Sequence, residues 1–226
     1  MIKAVIFDMF ETLITHYDSP LYFGTQIASD AGIDNEVFHR TWKSAEKERM
    51  TGEITLEEML GRILEENGVF SDELLKKLTR KRVGAKEEVF RHLNDEIIPV
   101  LEALKNEKVL IGLVSNCYSE EVGVIRHSVL FTFFDAVCLS WEEKCLKPDP
   151  VIFERCLERL GVRAQECIYI GDGGSDELEA ARKLGMETYQ AAWYLDSHGG
   201  APTGYKKEFR QLHSPTEILR IIQHFN

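Results

Sequence analysis

The chain has 226 residues, 44% of them hydrophobic, with 27 lysines and arginines against 38 acids and a formal net charge of −11. This length suits one large domain or a core with a modest insertion, and the hydrophobic fraction excludes a disordered chain. The acidic balance argues against nucleic acid or an anionic membrane as the main partner, because both are met by basic faces. A small anionic substrate stays open, since one pocket can be positive on an acidic protein. No apolar stretch approaches the roughly 18 residues of a membrane span, and "MIKAVIFDMF" turns acidic too early for a secretory leader. Five cysteines with no C-x-x-C pair are expected to be free thiols in a reducing cytosol, a cytoplasmic setting. The seven histidines show no zinc-ligand spacing.

In chain order, the first predicted strand covers residues 3–7 and ends on Asp8 in "AVIFDMFETL". An aspartate that closes a buried strand is costly unless something nearby uses its charge. Residues 18–93 then lack β-branched runs and read as helical. Within them "TLEEMLGRILEENG" has Thr55 and Glu58 as a capping box, apolar Met59, Leu60, Ile63 and Leu64 on one face, and Gly68 as a stop. "SDELLKKLTRK" repeats the form from Ser71, with Leu74, Leu75 and Leu78. Further strands are predicted at 109–114, 136–139, 167–170 and 187–192, alternating with helices at 119–129, 150–160 and 175–184. A last helix starts in "SPTEILRIIQHF", where Ser214 and Pro215 give the start signal. Short apolar strands alternating with helices indicate a doubly wound α/β fold, a parallel sheet covered on both faces. The predicted organisation is an α/β core of residues 1–17 and 94–226 with an all-helical cap, 18–93, inserted after the first strand.

In open α/β sheets ligands bind beyond the carboxyl ends of the strands. There the sequence places Asp8, then Ser115 and Asn116 in "LVSNC", Lys147 in "CLKPDP", and Asp172 and Asp176 in "YIGDGGSDE". Carboxylates gathered at one site repel unless a cation holds them, and hard oxygen ligands suit Mg²⁺. Mg²⁺ with lysine and hydroxyl donors is equipment for holding a phosphoryl group. The "GDGGSDE" loop lacks G-x-G-x-x-G spacing and follows the fourth strand, so it does not read as a dinucleotide loop.

These four stretches, in this order, resemble the motifs of the haloacid dehalogenase-like hydrolase superfamily. The first motif is matched by Asp8, Met9, Phe10, Glu11 and Thr12, and the strand-end hydroxyl of the next by Ser115. Lys147 resembles the lysine of the third motif, and Asp172 and Asp176 resemble the acids of the fourth. The likeness covers nearly the whole chain, and the helical insertion sits where one class of the family carries a cap. The resemblance implies that Asp8 is a nucleophile forming an aspartyl-phosphate from a small phosphorylated metabolite. It implies that Asp8, the backbone carbonyl of Phe10 and Asp172 hold Mg²⁺, and that Ser115 and the Asn116 amide bind phosphoryl oxygens. Lys147 would neutralise charge between nucleophile and phosphate, and Asp176 would orient that lysine or a metal-bound water. Arg49 in the cap is expected to contact substrate. Neither sequence nor resemblance speaks to oligomeric state.

Phe10 departs from the pattern. The family usually has a second aspartate there, which protonates the leaving oxygen and then activates water, help worth ~10²–10⁴ in rate. Three routes are open: Glu11 deputises, a residue such as His16, Tyr17 or Arg49 supplies the proton, or the chain follows the branch that cleaves carbon–halogen bonds, where the leaving halide needs none. Two acids in the fourth motif favour a Mg²⁺-dependent phosphatase over the dehalogenase and over a weakly active phospho-ligand binder.

Overall fold

The computed structural model describes residues 1–225. In chain order the elements are β1 (Ala4–Phe7), α1 (Gly24–Ala31), α2 (Asn35–Ser44), α3 (Glu46–Met50), α4 (Leu56–Glu66), α5 (Asp72–Val89), α6 (Ile97–Asn106) and β2 (Leu110–Ser115). There follow α7 (Ser119–His127), β3 (Ala136–Leu139), α8 (Ser140–Glu143), α9 (Pro150–Leu160), β4 (Cys167–Gly171), α10 (Glu177–Lys183), β5 (Glu187–Ala191), α11 (Trp193–Ser197), β6 (Arg210–Leu212) and α12 (Glu217–Phe225).

The six strands form one parallel sheet in the order β3-β2-β1-β4-β5-β6. Alternate residues of each strand point to opposite faces, and both faces are apolar. Val5 and Phe7 join Ile111, Leu113, Ile168 and Ile170 under α6, α7 and α12. Ala4 and Ile6 join Cys138, Cys167 and Tyr169 under α9 and α10. Burial on both sides is why these strands read as continuous apolar runs. Strand order reverses around β1, so the crevice at its carboxyl end is the natural ligand position.

Helices α1, α2, α4 and α5 bury a cluster of their own, built on Ile27, Phe38, Met59, Leu60, Ile63 and Leu78. The start signal at Thr55 is a capping box, and Ser71 caps α5 by accepting from the Leu74 amide at 3.1 Å. Helices α6, α8 and α11 and strand β6 are additions to the predicted elements. The α6 stretch "IIPVLEALKN" contains Pro99 near its start, where the first-turn N–H groups have no helical partner to lose. At three residues, β6 is too short to show a period. Among the described residues no helix is long and apolar enough to cross a membrane.

Candidate active site

At the carboxyl end of β1 the Asp8 amide donates to Ile170 O at 2.9 Å, carrying the β1–β4 ladder one residue further and fixing the carboxylate at the crevice. Lys147 reaches the same point from the loop before α9. Asn116 clamps its backbone: Asn116 Oδ1 accepts from Lys147 N at 2.8 Å, and Asn116 Nδ2 donates to Lys147 O at 3.2 Å and Ser175 Oγ at 3.3 Å. The lysine Nζ donates to Asp8 Oδ1 and to Glu177 Oε2. Asp8 Oδ2 is less engaged, with Thr12 Oγ1 at 3.5 Å.

The second partner of Lys147 is Glu177, where Asp176 was expected. After Gly173 the chain runs through a short 3-10 turn in which Ser175 (φ 52°) and Asp176 (φ 48°) are both left-handed. These two residues take up the extra length, so the acid that enters the crevice is the fifth after Asp172. Glu177 is buried; Tyr169 OH donates to its Oε2 at 2.8 Å and Gly173 N to its Oε1 at 3.0 Å. Gly171 makes room, since a Cβ there would overlap Glu177 Oε1. The Asp176 side chain is 77% exposed, 3.5 Å from Lys206 Nζ.

Asp172 is held by its own loop and by two segments that carry no motif. Its Oδ1 accepts from Gly174 N at 3.0 Å and its Oδ2 from Thr203 Oγ1 at 3.1 Å, while Gln190 Nε2 donates to its carbonyl at 2.8 Å. Ser115 is fully buried, its Oγ making one long contact of 3.4 Å to Asn116 O. The resulting pocket, about 210 Å³, is lined among others by Asp8, Phe10, Asn116, Lys147, Asp172 and Thr203.

Asp8, Asp172 and Glu177 bring oxygens within 4.8 Å of one another, with Lys147 against them. Burial pushes the Asp8 carboxyl well above its ordinary range, only partly countered by Lys147 and reinforced by Glu177 and Asp172. Asp172 is raised to about 7, first by burial and then by Glu177. Burial works against the charge of Lys147, yet Asp8 and Glu177 outweigh it and lift its pKa. Three carboxyls against one lysine repel one another as they ionise, which adds to burial in raising Asp8 and Asp172, and an all-oxygen donor set of this kind fits a hard divalent cation.

The Phe10 ring lines the pocket on one side and on the other stacks on His16 at 4.8 Å between centroids. Behind it a buried ionic network joins the helical insertion to the core. His16 Nδ1 donates to Glu11 Oε1 at 3.0 Å, while Lys86 Nζ donates to His16 Nε2 at 2.6 Å and reaches Glu121 at 2.5 Å. Arg82 Nε donates to Glu120 at 3.1 Å. Arg49 belongs to this network and not to the pocket: its guanidinium lies between the Trp42 ring at 3.6 Å and the Tyr118 ring at 4.2 Å, with Glu120 at 3.5 Å. The expectation that Arg49 meets substrate is therefore corrected, because α3 turns it into the helix interface. His16 carries no spare proton for the pocket, since burial, then Lys86, hold its pKa below the ordinary value. Glu11 lines the pocket, and its bonds from His16 and Thr15 outweigh burial and keep its pKa low, so it is ionised.

Residues 2–185 match the haloacid dehalogenase-like hydrolase family. Among curated relatives, the glyceraldehyde 3-phosphate phosphatase of Methanopyrus kandleri is 29% identical over 206 residues, 83% of either chain. The first curated relatives are matched over only 32% to 43% of their own length. Two solved structures share the fold. One is a 2-haloacid dehalogenase from Pseudomonas syringae pv. Tomato DC3000 (20% identity, 100% of both chains, TM-score 0.73). The other is a family enzyme from Bacteroides thetaiotaomicron in complex with magnesium and inorganic phosphate (21% identity, 92% of this chain and 98% of that one, TM-score 0.64). Because the family match runs from the first strand to beyond α10, and so spans the whole carboxylate–lysine cluster, the chain belongs to the haloacid dehalogenase-like hydrolases.

Proposed function

We propose that the protein is a Mg²⁺-dependent phosphatase that transfers a phosphoryl group from a small phosphorylated metabolite to Asp8 and then hydrolyses the aspartyl-phosphate. The observation that carries this reading is the asymmetry of Asp8: Lys147 engages Oδ1, while Oδ2 keeps only the 3.5 Å contact with Thr12. One oxygen is thus free to form the bond to phosphorus as the bond to the leaving oxygen breaks. The pocket of about 210 Å³ has room for a phosphoryl group beside Asp8. Lys147 offsets the charge brought by the phosphate, and Asn116 fixes the lysine's backbone. We assign the Asn116 amide and the Ser115 hydroxyl to phosphoryl oxygens. Asp8, Asp172 and the Phe10 carbonyl would hold Mg²⁺, which when bound supplies positive charge against the carboxylates and the phosphoryl group. The magnesium and phosphate complex of the Bacteroides relative supports this assignment.

Phe10 favours one other reading, carbon–halogen hydrolysis, in which the leaving halide takes no proton. Two assays separate the readings. Aryl phosphate hydrolysis should require Mg²⁺, vanish with EDTA, and fall below a tenth of wild type in Asp8→Asn. Chloride release from a 2-chloro acid, indifferent to EDTA, would replace the phosphatase by a dehalogenase.

A further inference from the structure

Beside the Asp8 pocket a larger cleft of about 810 Å³ opens between α2–α3 and the loop that carries Lys147. Asn116, Lys147 and Ser175 line both spaces, so the two share a wall. Its cations come from both sides: Lys43 and Lys47 from the helical insertion, Lys144 from the core. Lys144 sits at a left-handed φ of 59°, a conformation that favours glycine. Its Nζ is pinned by Gly52 O at 2.9 Å and lies 4.7 Å from the Trp141 ring centre, with no carboxylate partner among the described residues. Lys43 and Lys47 are exposed and have no side-chain hydrogen-bond or ion-pair partner among the described residues. The two acids of the cleft are partly committed: Glu46 accepts from Tyr118 OH at 3.3 Å, and Asp149 caps α9 through Val151 N at 3.0 Å. On a chain of net charge −11, three lysines without acid partners among the described residues line a cleft that adjoins the nucleophile.

A separate observation points the same way. Around position 10 no side chain is free to donate to a leaving oxygen: Phe10 is apolar, the Glu11 carboxylate accepts from Thr15 and from His16 N and Nδ1, and both ring nitrogens of His16 are engaged behind the ring. Resting on the phosphatase reading, we infer that the substrate is a phosphoric anhydride, an acyl phosphate or a pyrophosphate, whose leaving group departs as an oxyanion into the lysine-lined cleft. Asp8 Oδ2 forms the bond to phosphorus, the bridging P–O bond breaks, and its electron pair leaves with the carboxylate or phosphate. No proton is consumed in that step. Lys144, Lys43 and Lys47 receive the charge.

The test compares kcat/KM in Mg²⁺ for acetyl phosphate, pyrophosphate, p-nitrophenyl phosphate and glycerol 3-phosphate. Wild type should favour one or both anhydrides over glycerol 3-phosphate by at least ~100-fold, the low end of what a general acid supplies. Which anhydride is preferred identifies carboxylate or phosphate as the leaving group. In Lys43→Ala/Lys47→Ala the loss on the preferred anhydride should exceed the loss on p-nitrophenyl phosphate about 10-fold, as expected for two partly exposed ion pairs. Calorimetry of the preferred anhydride with the Asp8→Asn protein, with and without the lysine substitutions, reads the same contact without turnover. Hydrolysis of p-nitrophenyl phosphate with equal rates on glycerol 3-phosphate, or equal losses on all substrates in the lysine variant, overturns this inference alone. No turnover of any phosphate overturns the phosphatase reading with it.

Discussion

Glu177 and Asp176 are adjacent acids that the structure treats in opposite ways, and exchanging each for its amide separates them. Glu177 Oε2 accepts from Lys147 and Tyr169 while Oε1 accepts from Gly173 N. A glutamine has one acceptor oxygen, so one of its ends must set an NH₂ against a donor. A buried donor left without its acceptor costs about 1–3 kcal/mol, and breaking one side of a buried ion pair costs about 3–5 kcal/mol in all. Loss of the Glu177 charge also relieves its repulsion of Asp8 and Asp172, which offsets part of that cost in the cation-free protein. Added Mg²⁺ should remove the relief, so the penalty grows when the metal is present.

For a chain of this size about 3–5 kcal/mol corresponds to a fall in Tm of about 6–20 °C. Lys147 loses one of its two anionic partners, and loss of such a supporting contact typically lowers activity about 10–100-fold. Asp176→Asn, on a side chain 77% exposed, should stay within about 0.5 kcal/mol and near wild-type turnover. Thermal melts with and without Mg²⁺ and aryl phosphate kinetics read both effects. Equal damage from the two substitutions, or a silent Glu177→Gln, would show that Glu177 does not support the lysine.

Three further outcomes follow from the same contacts. Mg²⁺ should raise Tm more at pH 8 than at pH 6, because Asp172, raised to about 7, is largely protonated at the lower pH and must lose that proton to bind a cation; an equal or reversed increment would remove Asp172 from the metal site. In EDTA, His16 costs stability as pH falls through the ordinary imidazole value of about 6.5, since the unfolded chain takes up a proton that the buried ring refuses. Urea unfolding should therefore show His16→Gln losing less stability than wild type between pH 7 and pH 5, and parallel losses would count against a neutral His16. Phe10→Asp should raise turnover of alkyl phosphates more than of aryl phosphates, by up to ~10²-fold, and a uniform effect across leaving groups would show that the proton comes from elsewhere.

The sheet was legible because strands buried on both faces carry their signal in composition alone, as in "AVIF" and "LIGLVS". Asp8, Asn116, Lys147 and Asp172 were legible because each follows a strand or precedes a helix, where chain order fixes place. Glu177 was not, because the choice between adjacent acids depends on two consecutive left-handed residues, and Ser175 and Asp176 carry no glycine to announce them. Thr203 and Gln190 escaped for another reason: hydroxyl and amide contacts to Asp172 form across 31 and 18 residues, and no local pattern encodes them. Arg49 failed as a substrate residue because a helical period locates a side chain on a face without saying what that face meets.

The side chain at position 10 is tied to what lies behind it. Lys86 Nζ is 5.3 Å from the Phe10 ring centre and equally far from that of Phe23, with the His16 ring stacked between network and pocket. Burial lowers the pKa of Lys86, and Glu121 only partly restores it. A carboxylate at position 10 would become a further acid within reach of this cation and would compete with Glu121 for it. It would then face the helical insertion as much as the leaving group. The aromatic ring avoids that competition: it gives the ammonium a π face and His16 a stacking surface, and it keeps the ionic network apart from the carboxylates around Asp8. On this account the loss of the second aspartate and the burial of Lys86 are one structural choice. Full acid catalysis would then require Phe10→Asp together with Lys86→Met, because removal of the ammonium lets the new carboxyl hold a proton near neutral pH. The double variant should therefore exceed Phe10→Asp alone in kcat on glycerol 3-phosphate, and a double variant no faster than the single one would show that Lys86 does not limit the acid.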